Sequence, residues 1–270
     1  IDERPSLEQI EQILKENQDI ALVYITHNET GTGILNPIRE IGALAHAYGA
    51  IFVVDTTSTY AMRPINIKND NIDFCMASAQ KGLMAMTGIS FVVGKRTIIE
   101  QSKTYPKRSY YCNLYMQYHY FEAHGEMHFT PPVQTVYAMR QAIKEYFAEG
   151  EQKKWERHTR VFEALHKGIE RLGFQDMIKR DWQAGLVVTV KYPDDPNWSF
   201  SAIHDYCYKR GFTIYPGKIN NTETFRLCAL GAIDQSDIET FFEVFEAGLR
   251  EMEVSLPVHY GLEEETDERE

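Results

Sequence analysis

The chain has 270 residues, of which 43% are apolar and 25% are charged, and its formal net charge is −11. This acidic balance excludes a protein that binds nucleic acid through its phosphates, because such proteins present basic faces. No run approaches the roughly 20 apolar residues of a membrane helix, and four widely spaced cysteines favour a reduced, cytoplasmic protein over a disulfide framework.

Up to residue 95 the chain alternates apolar runs with amphipathic segments. Residues 6–9 have the Ser-x-x-Gln pattern of a capping box, which predicts that a helix begins there. The elements predicted in order are a helix at 6–16, a strand at 20–26, a helix at 38–48 and strands at 51–55, 72–77 and 89–93. Because the strands are almost continuously apolar, they predict an α/β fold whose parallel-rich sheet is covered on both faces.

The second half of the chain predicts longer helices and then a smaller unit. The tyrosine-rich stretch 105–121 lacks clear periodicity and is predicted as a loop with helical pieces, whereas Thr130 and two prolines open a helix that reaches about residue 147. Another helix is expected at 151–172, where a glycine ends it. A compact α+β unit follows, with a strand at 185–191, a helix at 199–211, strands at 212–215 and 224–228 and a helix at 235–252.

Two polar residues lie at the predicted carboxyl edge of the first sheet. Asp55 ends the strand at 51–55, and Lys81 follows the strand at 72–77 in the run SAQKG. Open α/β sheets bind their ligands at this edge. A lysine amine can form a Schiff base and an aspartate can keep a pyridinium nitrogen protonated, a pair that suits pyridoxal phosphate. The alternatives are a solvated lysine and an aspartate that only caps a turn.

Three further motifs are candidates for chemistry. The glycines and threonines of segment 27–37 (HNETGTGILNP) could hold a phosphate, although an ordinary strand-to-helix loop has the same composition. Arg226 lies in a short apolar strand. It is either paired inside the small unit or binds an anionic ligand, for which its planar guanidinium group is suited. His124 and His128 are four residues apart, but the glycine between them weakens a helix and the H-E-x-x-H order is absent, so no metal site is predicted.

Taken together, several blocks of the chain resemble one enzyme family. In order along the chain they are 27–37, 54–55, 78–81, 129–132, 214–218 and 224–226. The chain resembles, over about residues 5–252, the class V branch of the fold type I pyridoxal-phosphate aminotransferases, and within it the 2-aminoethylphosphonate–pyruvate transaminases. Relatives usually have asparagine where this chain has Gln80. They also continue further at the N-terminus, so we expect this chain to lack the part that holds a Gly/Ser/Thr loop for the cofactor phosphate.

The resemblance implies a role for each matching position. Lys81 would form the Schiff base with the cofactor aldehyde, and Asp55 would contact the pyridine nitrogen. Thr130 would reach the cofactor phosphate of a neighbouring subunit, and Thr30 would lie near the ring oxygen. Arg226 would bind the acidic group of the amino donor or the keto acid. These roles imply a homodimer that acts on small-molecule substrates.

The resemblance also implies a domain division and a reaction. Residues 1–155 would form part of the cofactor-binding large domain, 156–255 a smaller α+β domain and 256–270 an acidic tail. The enzyme would move an amino group from 2-aminoethylphosphonate to pyruvate, giving phosphonoacetaldehyde and alanine, or the reverse. The alternatives are another class V enzyme, such as an alanine–glyoxylate or serine–pyruvate transaminase, and a non-catalytic remnant of the fold.

Overall fold

The computed structural model describes residues 3–217, 219 and 222–261, and these residues form two compact units. The first unit consists of Pro5–Asn28 and Asn36–Trp155. The second consists of Glu29–Leu35 together with the described residues before Pro5 and after Trp155. Lys218, at the end of one family-like block, and the part of the predicted acidic tail beyond residue 261 lie outside the described residues.

The first unit alternates helices and strands as the sequence predicts. Its elements are α1 (Leu7–Glu16), β1 (Leu22–Thr26), α2 (Ile38–Ala47), β2 (Ile51–Asp55), β3 (Phe74–Ser78), β4 (Ser90–Gly94), α3 (Arg96–Gln101), α4 (Leu114–His124) and α5 (Val133–Glu149). Helix α6 (Glu151–Arg171) belongs to this unit up to Trp155. The predicted cap of α1 is confirmed, because the Ser6 hydroxyl accepts a hydrogen bond from the backbone nitrogen of Gln9 at 3.2 Å.

A four-stranded sheet in the order β1-β2-β3-β4 organises the first unit. Strands β1, β2 and β3 are parallel, and β4 is antiparallel to β3. The register aligns Thr26 with Asp55 and Asp55 with Met76, so the carboxyl ends of the three parallel strands meet at one edge. The predicted parallel-rich sheet is therefore confirmed.

Cover on both faces is confirmed only for the middle of this sheet. Phe52 and Val54 of β2 are fully buried and pack with Ile41 and Ala45 of α2. The outer strands differ, since large apolar side chains of β1 and β4 are 38–53% exposed (Leu22, Tyr24, Val92 and Val93). The predicted cover on both faces is therefore incomplete over these two strands within the described residues.

The second unit is the predicted α+β arrangement. From Glu156 onward it contains the rest of α6, then β5 (Val187–Lys191), α7 (Phe200–Tyr208), β6 (Tyr215–Pro216), β7 (Thr224–Cys228) and α8 (Gln235–Glu251). The strands form an antiparallel sheet in the order β5-β7-β6. Its core joins Leu165 of α6, Val188 of β5, Phe225 of β7 and Phe245 of α8, all at most 2% exposed.

Three predicted elements differ from the structure. The stretch 105–121 contributes its last eight residues to a regular helix, α4, which Asn113 caps by accepting from Met116 N at 2.9 Å. Helix α5 begins at Val133 and not at Thr130, because the preceding Pro132 keeps non-helical backbone angles. The strand predicted at 212–215 is instead the two-residue strand Tyr215–Pro216, which overlaps the prediction at Tyr215 only. None of the helices in the described part of the chain has the length and apolar composition needed to cross a bilayer.

Candidate active site

Asp55 and Lys81 both follow the carboxyl edge of the first unit's sheet. Asp55 is the last residue of β2, and its parallel neighbour β3 ends at Ser78, three residues before Lys81. The chain turns directly after β3, and the backbone nitrogen of Met84 bonds to the carbonyl oxygen of Lys81 at 2.9 Å. Lys81 is exposed and Asp55 is half-buried. The topology thus brings an amine and a carboxylate to neighbouring strand ends, where ligands of such sheets bind.

The carboxylate of Asp55 is held by two donors. Its Oδ1 accepts from the backbone nitrogen of Thr57 at 2.8 Å, and its Oδ2 accepts from the hydroxyl of Tyr24 at 3.3 Å. Burial and the charge of Asp55 together raise the pKa of the Tyr24 phenol, so this hydroxyl keeps its proton and donates. Within the described residues, no lysine, arginine or histidine forms an ion pair with Asp55, and lone pairs of both oxygens remain available for a cationic ligand.

Small residues shape the turn that carries Lys81. Ala79 is fully buried, and its nitrogen bonds to Ile89 O at 3.0 Å. Gly82 is buried so closely that an added Cβ would lie 2.0 Å from the carbonyl oxygen of Tyr60, which excludes any side chain there. The hydroxyl oxygen of Ser78 is buried and has no partner among the described atoms. The turn therefore combines a tightly packed backbone with an unused polar group.

Two loops beside Asp55 are joined by buried polar contacts that the sequence did not predict. His27 Nδ1 lies 3.0 Å from Thr59 Oγ1, and Asn28 Nδ2 donates to Ser58 Oγ at 3.0 Å. Burial is the main cause that lowers the pKa of His27 to about 4, with the charge of a nearby arginine adding to it, so its ring is neutral at pH 7. Only the strand register could have revealed these pairs, because it sets the residues after Thr26 beside those after Asp55.

Arg226 and Thr30 meet in the second unit. Arg226 is 8% exposed, and its Nε and Nη1 donate to the carbonyl oxygens of Pro216 and Thr30, both at 3.1 Å. Of the two readings left open by the sequence, these bonds pair Arg226 inside the second unit, with carbonyl oxygens and, among the described residues, with no carboxylate. Carbonyl oxygens do not neutralise the guanidinium, so its positive charge is compatible with an anionic ligand as well.

Thr130 lies elsewhere in the first unit. It is exposed, just before α5, and lines a cavity of about 260 Å³. Neither Asp55 nor Lys81 lines this cavity, whose other residues are mostly aromatic or apolar (Tyr111, Gln117, Phe121, Met127, His128, Phe129 and Pro132). Gly125 adopts a left-handed conformation that ends α4 at His124, so the two histidines considered for a metal do not share a helix.

Comparison with known proteins places the chain among aminotransferases. Residues 2–214 match the family described as aminotransferase class-V. The chain is 34% identical over 248 residues to 2-aminoethylphosphonate–pyruvate transaminase 1 of Cupriavidus pinatubonensis, covering 92% of this chain and 65% of that protein. Its identity to the 2-aminoethylphosphonate–pyruvate transaminases of Lysinibacillus sphaericus and Salmonella typhimurium is 33% and 34%, over 91% and 87% of this chain. The chain spans 64–67% of the length of these curated relatives.

Solved structures show the same fold. Pyridoxamine–pyruvate aminotransferase from Mesorhizobium loti is similar with a TM-score of 0.85 and 20% identity, over 94% of this chain and 66% of that one. Ureidoglycine–glyoxylate aminotransferase from Bacillus subtilis is similar with a TM-score of 0.83 and 20% identity, over 93% and 66%. The predicted fold type I α/β architecture is thereby confirmed. By its sequence match and its fold, the chain belongs to the aminotransferase class-V family.

Proposed function

We propose that this chain belongs to an enzyme that transfers an amino group between 2-aminoethylphosphonate and pyruvate, with pyridoxal 5′-phosphate as cofactor. The observation that carries this proposal is the identity of 33–34%, over 87–92% of the chain, to three proteins named for that reaction. In the forward direction the products would be phosphonoacetaldehyde and alanine.

The residues at the sheet edge fit the cofactor chemically. Asp55 offers a carboxylate with lone pairs to spare and no ion-pair partner among the described residues, which suits a protonated ring nitrogen. The buried hydroxyl of Ser78 lacks a partner, and Ala79 and Gly82 add almost no side-chain bulk beside it. Neutral His27 does not compete with the ring nitrogen for the negative charge of Asp55.

Each residue would have a distinct task in the reaction. Pyridoxal phosphate, when bound, supplies an aldehyde that bonds to amines and a ring that takes up electrons. Lys81 Nζ would bond to the cofactor until the substrate amine displaces it. Lys81 would then remove a proton from the carbon that carries the amino group, and return it as an acid. Asp55 would hold the proton on the ring nitrogen throughout.

The two anionic substrates give Arg226 its proposed role. A phosphonate and the carboxylate of pyruvate both carry oxygens that a planar guanidinium can bind with two hydrogen bonds. Nε and Nη1 each donate to one carbonyl oxygen, of Pro216 and Thr30, which leaves the second N–H of Nη1 and both N–H groups of Nη2 for the substrate. For Thr30, whose carbonyl makes this contact, we propose a place near the cofactor ring oxygen.

The remaining proposals concern assembly. Thr130, which precedes α5, would bind the cofactor phosphate of a second subunit, because free N–H groups at a helix start favour phosphate. The first unit would then be part of the cofactor-binding large domain, and the second unit would be the small domain. A cytoplasmic location stays a prediction that rests on the reduced cysteines.

Substrate assays test the proposed reaction. The protein, supplied with pyridoxal phosphate, should form alanine from pyruvate when 2-aminoethylphosphonate is the donor, and form less product when that donor is replaced by serine. Turnover of alanine with glyoxylate in the absence of any reaction with 2-aminoethylphosphonate would favour another class V transaminase. A protein that binds the cofactor with neither donor reacting would instead be the non-catalytic remnant.

A further inference from the structure

A buried lysine contacts the turn that carries Lys81. Lys154, in the first turn of α6, is 1% exposed and is among the largest fully buried side chains of the described structure. Its Nζ donates a short hydrogen bond to the carbonyl oxygen of Gly82, the residue directly after Lys81. The two residues are 72 positions apart in the sequence, so this contact exists only in the folded chain.

Burial of this ammonium group requires compensation. A charged amine loses its hydration when it is buried, so it is kept only where other groups solvate it. The Gly82 carbonyl supplies one such group, and the ring of Tyr146 on α5 supplies another, since its centroid lies 5.2 Å from Nζ. An apolar side chain of similar length would fill the same space without this cost. The choice of lysine therefore points to the polar contact and not to packing.

Gly82 gives the turn no side chain of its own through which to bond to a neighbouring element. Gly82 cannot carry a side chain, because an added Cβ would lie 2.0 Å from Tyr60 O, and so it makes no side-chain contacts of its own. The bonds from Met84 N to Lys81 O and from Ala85 N to Ala79 O, at 2.9 and 3.0 Å, close the turn on itself. Lys154 thus supplies a side-chain link between this turn and α6.

We propose that Lys154 is a positioning residue that fixes the Lys81 turn to α6 through the Gly82 carbonyl. The proposal rests on the proposed function, in which bonds to the Lys81 amine form and break in every cycle. An amine on a fixed backbone returns to the same place after each displacement, whereas an amine on a mobile turn must be repositioned. Lys154 contacts the backbone of the turn, so we expect its effect on Lys81 to pass through that backbone.

Hydrogen–deuterium exchange without cofactor tests the link directly. Lys154→Met keeps the length of the side chain and removes the donor, and Lys153→Met is the matched control because Lys153 is exposed on the same turn of α6. Amides in 79–85 should exchange at least ten times faster in Lys154→Met, with β2 and the second unit unchanged. Acceleration throughout the chain, or none in 79–85, would overturn the proposal. If Lys154→Met does not fold, Lys154→Gln takes its place. It keeps an N–H donor on a shorter side chain, so amide exchange in 79–85 should still be faster than in the unchanged chain, with β2 and the second unit unchanged.

Trapping the cofactor with borohydride tests the role of Lys154 and the role of Lys81 independently. The chain is mixed with pyridoxal phosphate and reduced with borohydride, and the labelled peptides are identified by mass spectrometry. The unchanged chain should carry its label on Lys81, and Lys154→Met should lose most of that selectivity in favour of other exposed lysines. Selectivity equal to that of the Lys153→Met control would contradict the role of Lys154. Absence of label on Lys81 in the unchanged chain would contradict the proposed function. In that case hydrogen–deuterium exchange in 79–85 would still decide whether Lys154 fixes the turn through the Gly82 carbonyl.

Discussion

His27 is the buried residue of the site whose protonation matters most for stability. Its ring is 6% exposed, and its Nδ1 faces the hydroxyl of Thr59 at 3.0 Å. In the folded chain its pKa is lowered to about 4, from 6.5 in the unfolded chain. Between these values the unfolded chain binds the proton and the folded chain does not, so stability falls as the pH falls from about 6.5 to 4.

His27→Gln should therefore flatten the acid side of the stability profile. A glutamine does not titrate, so the free energy of unfolding of the unchanged chain should fall by about 2–3 kcal/mol more than that of the variant between pH 7.5 and 4.5. Urea unfolding at the two pH values measures this difference, and other titrating groups cancel because both proteins contain them. Parallel profiles would show that His27 has the same pKa in the folded and the unfolded chain, and would contradict its lowered pKa.

Arg226→Lys tests the anion site. The substitution keeps the positive charge but loses the planar fork, and with it the paired bonds to the Pro216 and Thr30 carbonyls. A lysine would also lose one of the two hydrogen bonds proposed between Arg226 and the substrate anion, and a hydrogen bond to a charged group is worth about 1.5–3 kcal/mol, so kcat/KM should fall about 10- to 100-fold for both 2-aminoethylphosphonate and pyruvate. Cofactor binding, followed by absorbance, should be unchanged. Values near those of the unchanged protein for both substrates would remove Arg226 from the site.

At the scale of elements, the contact of α6 with α8 depends on one glycine. Gly168 is buried on α6, and an added Cβ would lie 2.1 Å from the ring of Phe242 on α8. Helix propensity alone favours alanine over glycine by about 1 kcal/mol, whereas overpacking costs about 1–3 kcal/mol.

Gly168→Ala should accordingly lower the free energy of unfolding of the second unit. The control is Lys167→Ala, at an exposed position of the same helix. Urea denaturation followed by circular dichroism should show destabilisation for Gly168→Ala and little change for the control. A stabilised Gly168→Ala variant would mean that the two helices separate without cost and that propensity decides the result.

The sequence predicts those elements whose cause is local. The bounds of β2 and β7 are predicted to the residue, and for β2 the reason is an apolar run that ends at a polar residue. Asp55 and Lys81 are candidates because one ends such a run and the other follows one within four residues. Helix α4 was missed because its apolar and polar residues follow no stripe, and a single cap at Asn113 starts it.

Contacts across the chain could not be predicted in this way. The Lys154 side chain meets Gly82 across 72 residues, and Arg226 meets Thr30 across 196. Neither contact leaves a local pattern, since a lysine in an amphipathic helix and an arginine in a short strand are both common. They depend on how helices and strands pack, which the spacing of residues along the chain does not encode.

Several aromatic side chains of the first unit are exposed, which bears on how the whole molecule assembles. Tyrosine and phenylalanine side chains on α4, α5 and the segment before α4 are 53–75% exposed (Tyr110, Tyr111, Phe121, Tyr137 and Phe147). Extended apolar surface of this kind marks an interface between proteins. In the proposed two-fold homodimer, the same side chains of a second copy would cover them.

Light scattering at micromolar concentration should therefore give the mass of a dimer. Tyr137→Glu should shift the protein towards the monomer, because a carboxylate is costly to bury in an apolar interface. Tyr208→Glu is the control, since Tyr208 is equally exposed but lies on α7 in the second unit. A monomeric unchanged protein, or equal dissociation in both variants, would contradict this interface.

Lys81 is the residue that we propose bonds to pyridoxal phosphate. Its most direct measurement is borohydride reduction of the protein with bound cofactor, followed by peptide mass spectrometry of the unchanged chain and of Lys81→Ala. The phosphopyridoxyl group should be found on Lys81, and Lys81→Ala should lose both this adduct and the visible absorbance of the bound cofactor. An adduct of undiminished yield in Lys81→Ala would place the reactive lysine elsewhere and contradict the account.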